Sequence, residues 1–597
     1  MNPNRDHRAI ILGATLIALS IVVARICYNL SEWSALPTGD AGSRGKNLEE
    51  LVHASVWWSS LSLSLLAAVV GLWTLVAGMK GRATWLGPRQ VHPLLTSPNA
   101  SAARWFWPAL LIILVLGTSL RAPRLDHSFY NDESHTYTRY VAGIWQDYGG
   151  ENERFRRPPY IDTVFANQIG NIEWPTRIPP FAAGLATILL LALMFRRVGY
   201  WQIGLLAALV LALHPWHIRY SSESRSYALA LAAMAAGFLF MLRALQTGRW
   251  RDWSAHGVFQ FLAIWAYPGA LVAVALTQLG LGAWMLHPVL RKRELRATAL
   301  HHLTRWATGG VLALILAAFL LIPGFIQLNH ALNEHPATRG NILEGWWSDT
   351  LTFVATGCGW QDETPGNPIN PTASGSLLII TGMAAFWLLA ATGLIRCLRT
   401  PALRLVGLLI ALQILSLPIL YIRADLNDNV LHWWYVLPIL PGLVMLAAIG
   451  IHHPGRLRIP CLAAAAVLLA GWLPVLSKII PHGKSDGRQI VRIARDGDFP
   501  HYDHRPLTFS LWADVATYDP LMRWLDDNEH LDESISHAEA NDLPLFIAVT
   551  QEGNARNTHP EVVERLDDPQ QFEHVATAWS LESDNFTTHL YRWRGPP

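Results

Sequence analysis

Apolar runs long enough to cross a bilayer recur along this chain as far as about residue 477, and they constrain the fold more than any other feature. A lipid interior offers no water to backbone N–H and C=O groups, so an isolated run of about 20 apolar residues there must be helical. Such runs fall at roughly 9–28, 55–79, 105–121, 177–195, 200–214, 227–245, 254–266, 268–287, 307–327, 376–396, 403–421, 433–451 and 460–477, about thirteen in all. Composition agrees: 51% of the 597 residues are hydrophobic and only 15% are charged, against about 25% in soluble domains. The expectation is an all-α polytopic membrane protein. The segment 254–287 must hold two short helices around Tyr267-Pro268 or one broken helix.

The net charge of +2 says little, because the placement of positive charge decides orientation. With a cytoplasmic N-terminus, the inner loops collect Lys80/Arg82/Arg89/Arg104, Arg196/Arg197, Arg243/Arg249/Arg251, Arg291/Lys292/Arg293/Arg296, Arg396/Arg399/Arg404 and Arg456/Arg458. Counting 254–287 as a single crossing breaks this alternation, so the positive-inside rule favours two. The first run is long for a signal peptide and lacks a small-residue cleavage site, which predicts a retained helix. Four cysteines, Cys27, Cys358, Cys397 and Cys461, show no pairing that suggests zinc or a disulfide framework. No solenoid repeat, low-complexity tract or basic–aromatic nucleic-acid pattern is present.

This topology places the loop 122–176, the turn around 215–226, the loop 328–375 and the tail 478–597 on the outer face, while the inner face receives short basic connections. Within the first loop, Thr136 to Tyr148 and Pro159 to Ile169 have the mixed composition of amphipathic helices at the membrane interface. The tail is polar. Strand-like runs at 507–513, 543–550, 572–580 and 589–593 alternate with helix-like stretches at 488–495, 519–527 and 561–566, which predicts a small α/β domain. It carries no Gly-rich phosphate loop, HExxH or GxSxG, and is expected to serve acceptor binding or to cover the site.

Two polar constellations face the predicted outer side. The first is Phe129-Tyr130-Asn131-Asp132-Glu133-Ser134-His135-Thr136, just beyond the third run. Two adjacent carboxylates there are a helix cap with its dipole complement, or a site where charge is needed. The second is His214-Pro215-Trp216-His217-Ile218-Arg219-Tyr220-Ser221-Ser222-Glu223-Ser224-Arg225-Ser226-Tyr227. Ser221 or Ser222 can cap the helix that follows, with Glu223 in its first turn. Arg225 opposes both the helix dipole and the positive-inside trend, so it needs a counter-charge: Glu223 or Asp132 as a structural pair, or an anionic ligand matched to a guanidinium. Arg177, entering the fourth run, is expected to be an interface anchor.

The order of these features resembles the GT-C type of membrane glycosyltransferase. The features are the acidic pair, the interfacial loop, Pro175-Thr176-Arg177-Ile178-Pro179-Pro180-Phe181-Ala182-Ala183-Gly184, and the Tyr220-x-x-Glu223-x-Arg225-x-Tyr227 turn. Within that type the chain looks like the branch of protein O-mannosyltransferases, lipid A aminoarabinose transferases and lipopolysaccharide-core sugar transferases. The likeness covers roughly 105–290 and is weaker to about 450. Trp434-Tyr435-Val436-Leu437-Pro438-Ile439-Leu440-Pro441-Gly442 also resembles the branch, with Trp434 where members often carry Arg.

The resemblance implies a polyprenyl-phosphate sugar donor in the inner (plasma) membrane. The acceptor would be a lipid, glycan or protein at the periplasmic face, and the displacement single and inverting. It makes Asp132 the general base and Glu133 its neighbour in catalysis or a cation ligand. Arg225, Tyr220, Glu223 and His217 fall around the donor phosphate, with Glu223 positioning Arg225, and His135 and Tyr130 are candidate acceptor or phosphate contacts. No cofactor is certain; a divalent cation such as Mg or Mn would sit at Asp132 and Glu133. The competing class is a transporter or flippase of a lipid-linked saccharide, which would place ionisable groups near mid-membrane in two matching halves. A non-catalytic scaffold that kept the fold is the third alternative.

Overall fold

The computed structural model describes residues 7–29, parts of 57–79, 104–129, 133, 173–291, 295–320, 345–358, 376–426, 431–483, 486–495, 507–510, 523–525, 527–550, 552–581 and 587–595. The expected interfacial helices of the first outer loop lie outside these residues, as do Tyr130, Asn131, Asp132 and His135.

Among the described residues the membrane part is helical, and eight helices are long and apolar enough to cross a membrane. They are Phe106–Asp126, Glu173–Arg197, Tyr227–Thr247, Pro268–Arg291, Leu377–Arg399, Arg404–Leu426, Trp433–Ile451 and Gly455–Ile479. Shorter apolar helices occupy Gly13–Asn29, Ala67–Val76 and Trp201–Leu213. Helices also cover Trp250–Ala266 and Arg296–Leu320. Among the described residues the expected count of thirteen crossings is not confirmed.

The segment 254–287 breaks where its sequence predicts. Tyr267 is extended, because Pro268 crowds the α region of the residue before it, and Pro268 then opens a short turn of 3-10 helix leading into Leu271–Arg291. At the opposite end, Gly248 takes the left-handed conformation that closes the Tyr227–Thr247 helix. Asp252 ties this hairpin together, accepting from Thr247 at 2.6 Å and pairing with Arg243 at 3.5 Å.

Small residues let the helices approach. A side chain on Gly393 would overlap the Leu446 carbonyl, and one on Gly450 the Leu389 carbonyl, so Ser376–Arg399 and Leu440–Ile451 touch backbone to backbone. Gly382 and Gly471 do the same for Ser376–Arg399 and Arg458–Ile479. On the other side, Leu111, Ile112 and Val115 of Phe106–Arg121 stay largely exposed, as a lipid-facing stripe does.

The tail forms a five-stranded sheet of β1 (Leu507–Ser510), β2 (Arg523–Trp524), β3 (Leu545–Thr550), β4 (Phe572–Ala578) and β5 (Thr588–Trp593), in the order β2-β1-β3-β5-β4. β1 runs parallel to β2 and β3, whereas β5 is antiparallel to β3 and β4. The central β3 is buried throughout because both faces are covered. Leu545, Ile547 and Val549 meet Leu531, Val562 and Leu566 on one face. Phe546 and Ala548 meet Ile490, Val491 and Ala494 of the Gly487–Arg495 helix on the other. One expectation is corrected for the described part of 519–527: residues 523–524 are β2, not helix, and Asp527 caps the Asn528–Asn541 helix by accepting from the His530 N–H.

Candidate active site

Glu133, the described member of the acidic pair, meets Arg177, in the first turns of the Glu173–Arg197 helix. Its guanidinium is buried and forms a bidentate pair with Glu133, Nε to Oε1 at 2.9 Å and NH2 to Oε2 at 2.7 Å. The remaining N–H groups donate to the carbonyls of Arg124, Leu125, His127 and Ser128. Phe129 lies against the guanidinium, 5.2 Å from ring centroid to Cζ. Arg177 is therefore the anchor of the Glu133 carboxylate, not a residue reaching to the interface. The planar fork of donors explains why arginine fills this position.

Glu133 also accepts the backbone N–H of Ser224. One carboxylate thus joins the two polar constellations: it stands one residue after Asp132, and its donor stands one residue before Arg225. Both oxygens are occupied by protein donors, and a guanidinium lies against them. That environment does not suit a divalent cation at Glu133, since the cation would have to displace Arg177 from a buried pair. Among the described residues no group of three His, Cys, Asp or Glu is placed to hold a metal.

The turn itself is built differently from its expected capping pattern. Pro215–Tyr220 is a short helix, and the next helix begins only at Tyr227 with Ser226 at its N-cap. Ser221 and Ser222 do not cap it; their hydroxyls turn back to the carbonyls of His217 and Ile218. Glu223 precedes the helix and pairs with Arg219 at 3.1 Å, both side chains buried. The Glu223 carboxylate thus pairs with Arg219, four residues back, in place of the expected Arg225. Arg225 is half-buried; its guanidinium lies 5.7 Å from the Tyr227 ring, and its N–H donates to the Glu223 carbonyl.

Tyr220, placed beside the donor phosphate by the family pattern, is buried and starts a run of phenol rings. It meets Tyr227 edge-on at 5.0 Å, Tyr227 meets Tyr267 at 5.0 Å, and Tyr267 meets Tyr435 at 6.4 Å. The late motif therefore closes onto the turn beside Arg225. Trp434 stacks face to face on His432, centroids 4.1 Å apart.

His217 is buried behind this group. Its Nδ1 lies 2.7 Å from Arg121 NH2, and since arginine only donates, Nδ1 accepts and Nε2 carries the hydrogen. Burial, then the charge of Arg121, holds its pKa well below the ordinary value, so the ring is neutral. Arg121 itself escaped the sequence reading. It is fully buried and donates to Ser221 Oγ at 2.8 Å and to the Gly117 and Ala212 carbonyls at 2.8 and 3.0 Å. The signal was available: a cation at the outer end of a span opposes the positive-inside trend, as Arg225 does.

Residues 157–323 match the family described as dolichyl-phosphate-mannose-protein mannosyltransferase. The match bears out the resemblance to the GT-C type of membrane glycosyltransferase and spans both Arg177 and the 214–227 turn. No curated protein matches the chain. Among solved structures, it is similar to ArnT from Cupriavidus metallidurans in the apo state, at 14% identity over 83% of this chain and 98% of that one, TM-score 0.47. The same protein bound to undecaprenyl phosphate aligns at 14% identity over 82% and 98%, TM-score 0.46. An oligosaccharyltransferase from Archaeoglobus fulgidus aligns at 12% identity over 80% and 73%, TM-score 0.42.

Proposed function

We infer that this chain is an integral-membrane glycosyltransferase that takes a sugar from a polyprenyl phosphate and delivers it to a hydroxyl or phosphate of a lipid, glycan or protein acceptor. The membrane part spans 1–477 and the tail 478–597, in the inner (plasma) membrane with the N-terminus cytoplasmic and the tail periplasmic. The distribution of Arg and Lys between short inner loops and long outer segments supports that orientation.

Asp132 takes the proton of the acceptor O–H as that oxygen attacks the anomeric carbon from the face opposite the leaving group. The bond from the anomeric carbon to the phosphate oxygen breaks, and the lipid phosphate leaves with the electron pair, giving inversion. Arg225 meets the charge that grows on that phosphate, in a setting of phenol rings where a cation acts strongly. The Tyr220 hydroxyl serves as a further donor. Glu133 acts through position: Arg177 and the Ser224 N–H hold it.

One observation carries this reading. The hydrogen bond from the Ser224 N–H to Glu133 joins the residue after Asp132 to the residue before Arg225, which supports a shared site. The test is transfer from a synthetic polyprenyl-phosphate sugar by purified full-length chain. Asp132→Asn should abolish it, and Arg225→Ala should cut turnover and weaken donor use. Undiminished transfer by Asp132→Asn removes the base assignment.

A further inference from the structure

The Gly487–Arg495 helix serves two partners. Ile490, Val491 and Ala494 lie in the core of the tail sheet, against Phe546, Ala548 and Leu590. Arg488, in its first turn, reaches the opposite way. Its NH1 meets the Glu173 carboxylate at 3.1 Å and that of Asp126 at 3.4 Å, while NH2 donates to the Asp126 carbonyl at 2.7 Å. A cation in the first turn is disfavoured by the helix dipole, so these partners, not the helix, account for Arg488.

Beside it, the Ser128 hydroxyl donates to Asp486 at 2.6 Å, and Arg124 donates to the carbonyls of Ile479 and His482. The segment 124–128 is thus gripped from two sides. Ile479, His482, Asp486 and Arg488 hold one side, and Arg177 collects four of its carbonyls on the other. The acidic pair follows directly.

We propose that Arg488, with Asp486, is a positioning residue that braces segment 124–128 against Arg177 and thereby keys the tail sheet to the placement of Glu133. The brace serves the transfer reaction inferred above and rests on that reading. Arg488 is 26% exposed, so its ion pairs contribute little to overall stability; their effect is on where the segment stands. A displacement of roughly 1 Å at a reacting group can cost about 100-fold in rate.

The test uses full-length chain in lipid nanodiscs, as wild type, Arg488→Ala and Arg488→Lys, followed by amide hydrogen exchange and by steady-state sugar transfer. In Arg488→Ala, exchange across residues 124–133 should rise several-fold while β3 keeps its protection, which shows that the sheet remains folded. Turnover should fall by about 10- to 100-fold with the donor KM within about twofold, and Arg488→Lys should recover part of both effects. Unchanged exchange across 124–133, or faster exchange with unchanged turnover, overturns the brace. If the wild-type chain transfers no sugar from a lipid phosphate, the functional reading fails, and the exchange result alone decides whether the brace exists.

Discussion

Glu133 and Arg177 form a bidentate ion pair in the protein interior, with neither side chain more than 2% exposed. Removing one partner of such a pair strands a buried charge, at a cost of about 3–5 kcal/mol. Arg177→Met should therefore lower stability by about that amount, read as a drop in thermal midpoint in detergent. Replacing both partners, Glu133→Leu with Arg177→Met, should cost less than the two single changes summed. Simple additivity would show that the pair does not act as a unit.

Glu223 answers to Arg219, not Arg225. In a double-mutant cycle, Glu223→Gln and Arg219→Gln should couple by about 0.5–3 kcal/mol, as contacting charges do. The cycle of Glu223→Gln with Arg225→Gln should give the smaller coupling. A larger value for Arg225 would return Glu223 to the role that spacing along the turn suggests. The same variants separate function: Arg225→Gln should affect donor use more strongly than Arg219→Gln.

The contrast between Arg225 and Glu223 shows what a sequence of this kind reveals. Helical spans and the break at Tyr267-Pro268 follow from apolar length and from proline's local sterics, both written in consecutive residues. Arg225 stood out because its charge opposes two one-dimensional trends. Its partner could not be read, because Glu223 faces either arginine depending on where the short helix ends, and Ser221 and Ser222 turn back instead of capping forward. Arg177 looked like an anchor for the same reason: burial is decided by the carbonyls of 124–128, which reach it only through the tertiary fold. In the tail, 519–527 has helical composition, yet residues 523–524 pair with β1 and Asp527 caps the next helix. Sheet pairing outweighs local propensity there.

The close approach of the Glu173–Arg197 helix to the turn depends on Gly184. A Cβ at that position would lie 2.4 Å from Ser221 Cβ and 3.0 Å from its hydroxyl. Ser221 is fixed by Arg121, so it cannot yield without disturbing the buried Arg121–His217 contact. Gly184→Ala should cost about 1–3 kcal/mol as overpacking, despite alanine's better helix propensity. It should also reduce transfer, because the displaced turn carries Arg225. A thermal midpoint equal to or above wild type would show that the turn can shift freely.

His127 gives the junction between membrane part and tail a dependence on pH. It follows Asp126 in extended backbone, and its Nδ1 is buried with no hydrogen-bond partner among the described residues. Burial first, then the charges of Arg124, Arg177, His482 and Arg488, push its pKa down from 6.5 to about 2. An unfolded chain binds a proton on this imidazole below its ordinary value, whereas the folded chain refuses it until far lower pH. The stability gained by keeping His127 neutral is therefore complete above about pH 6.5 and declines as pH falls towards the folded value. His482, lowered by burial and then by Lys478, contributes with the same sign. Thermal unfolding measured from neutral to mildly acidic pH should show a falling midpoint, and His127→Gln should flatten part of that fall. Parallel curves for wild type and variant would remove His127 as its source.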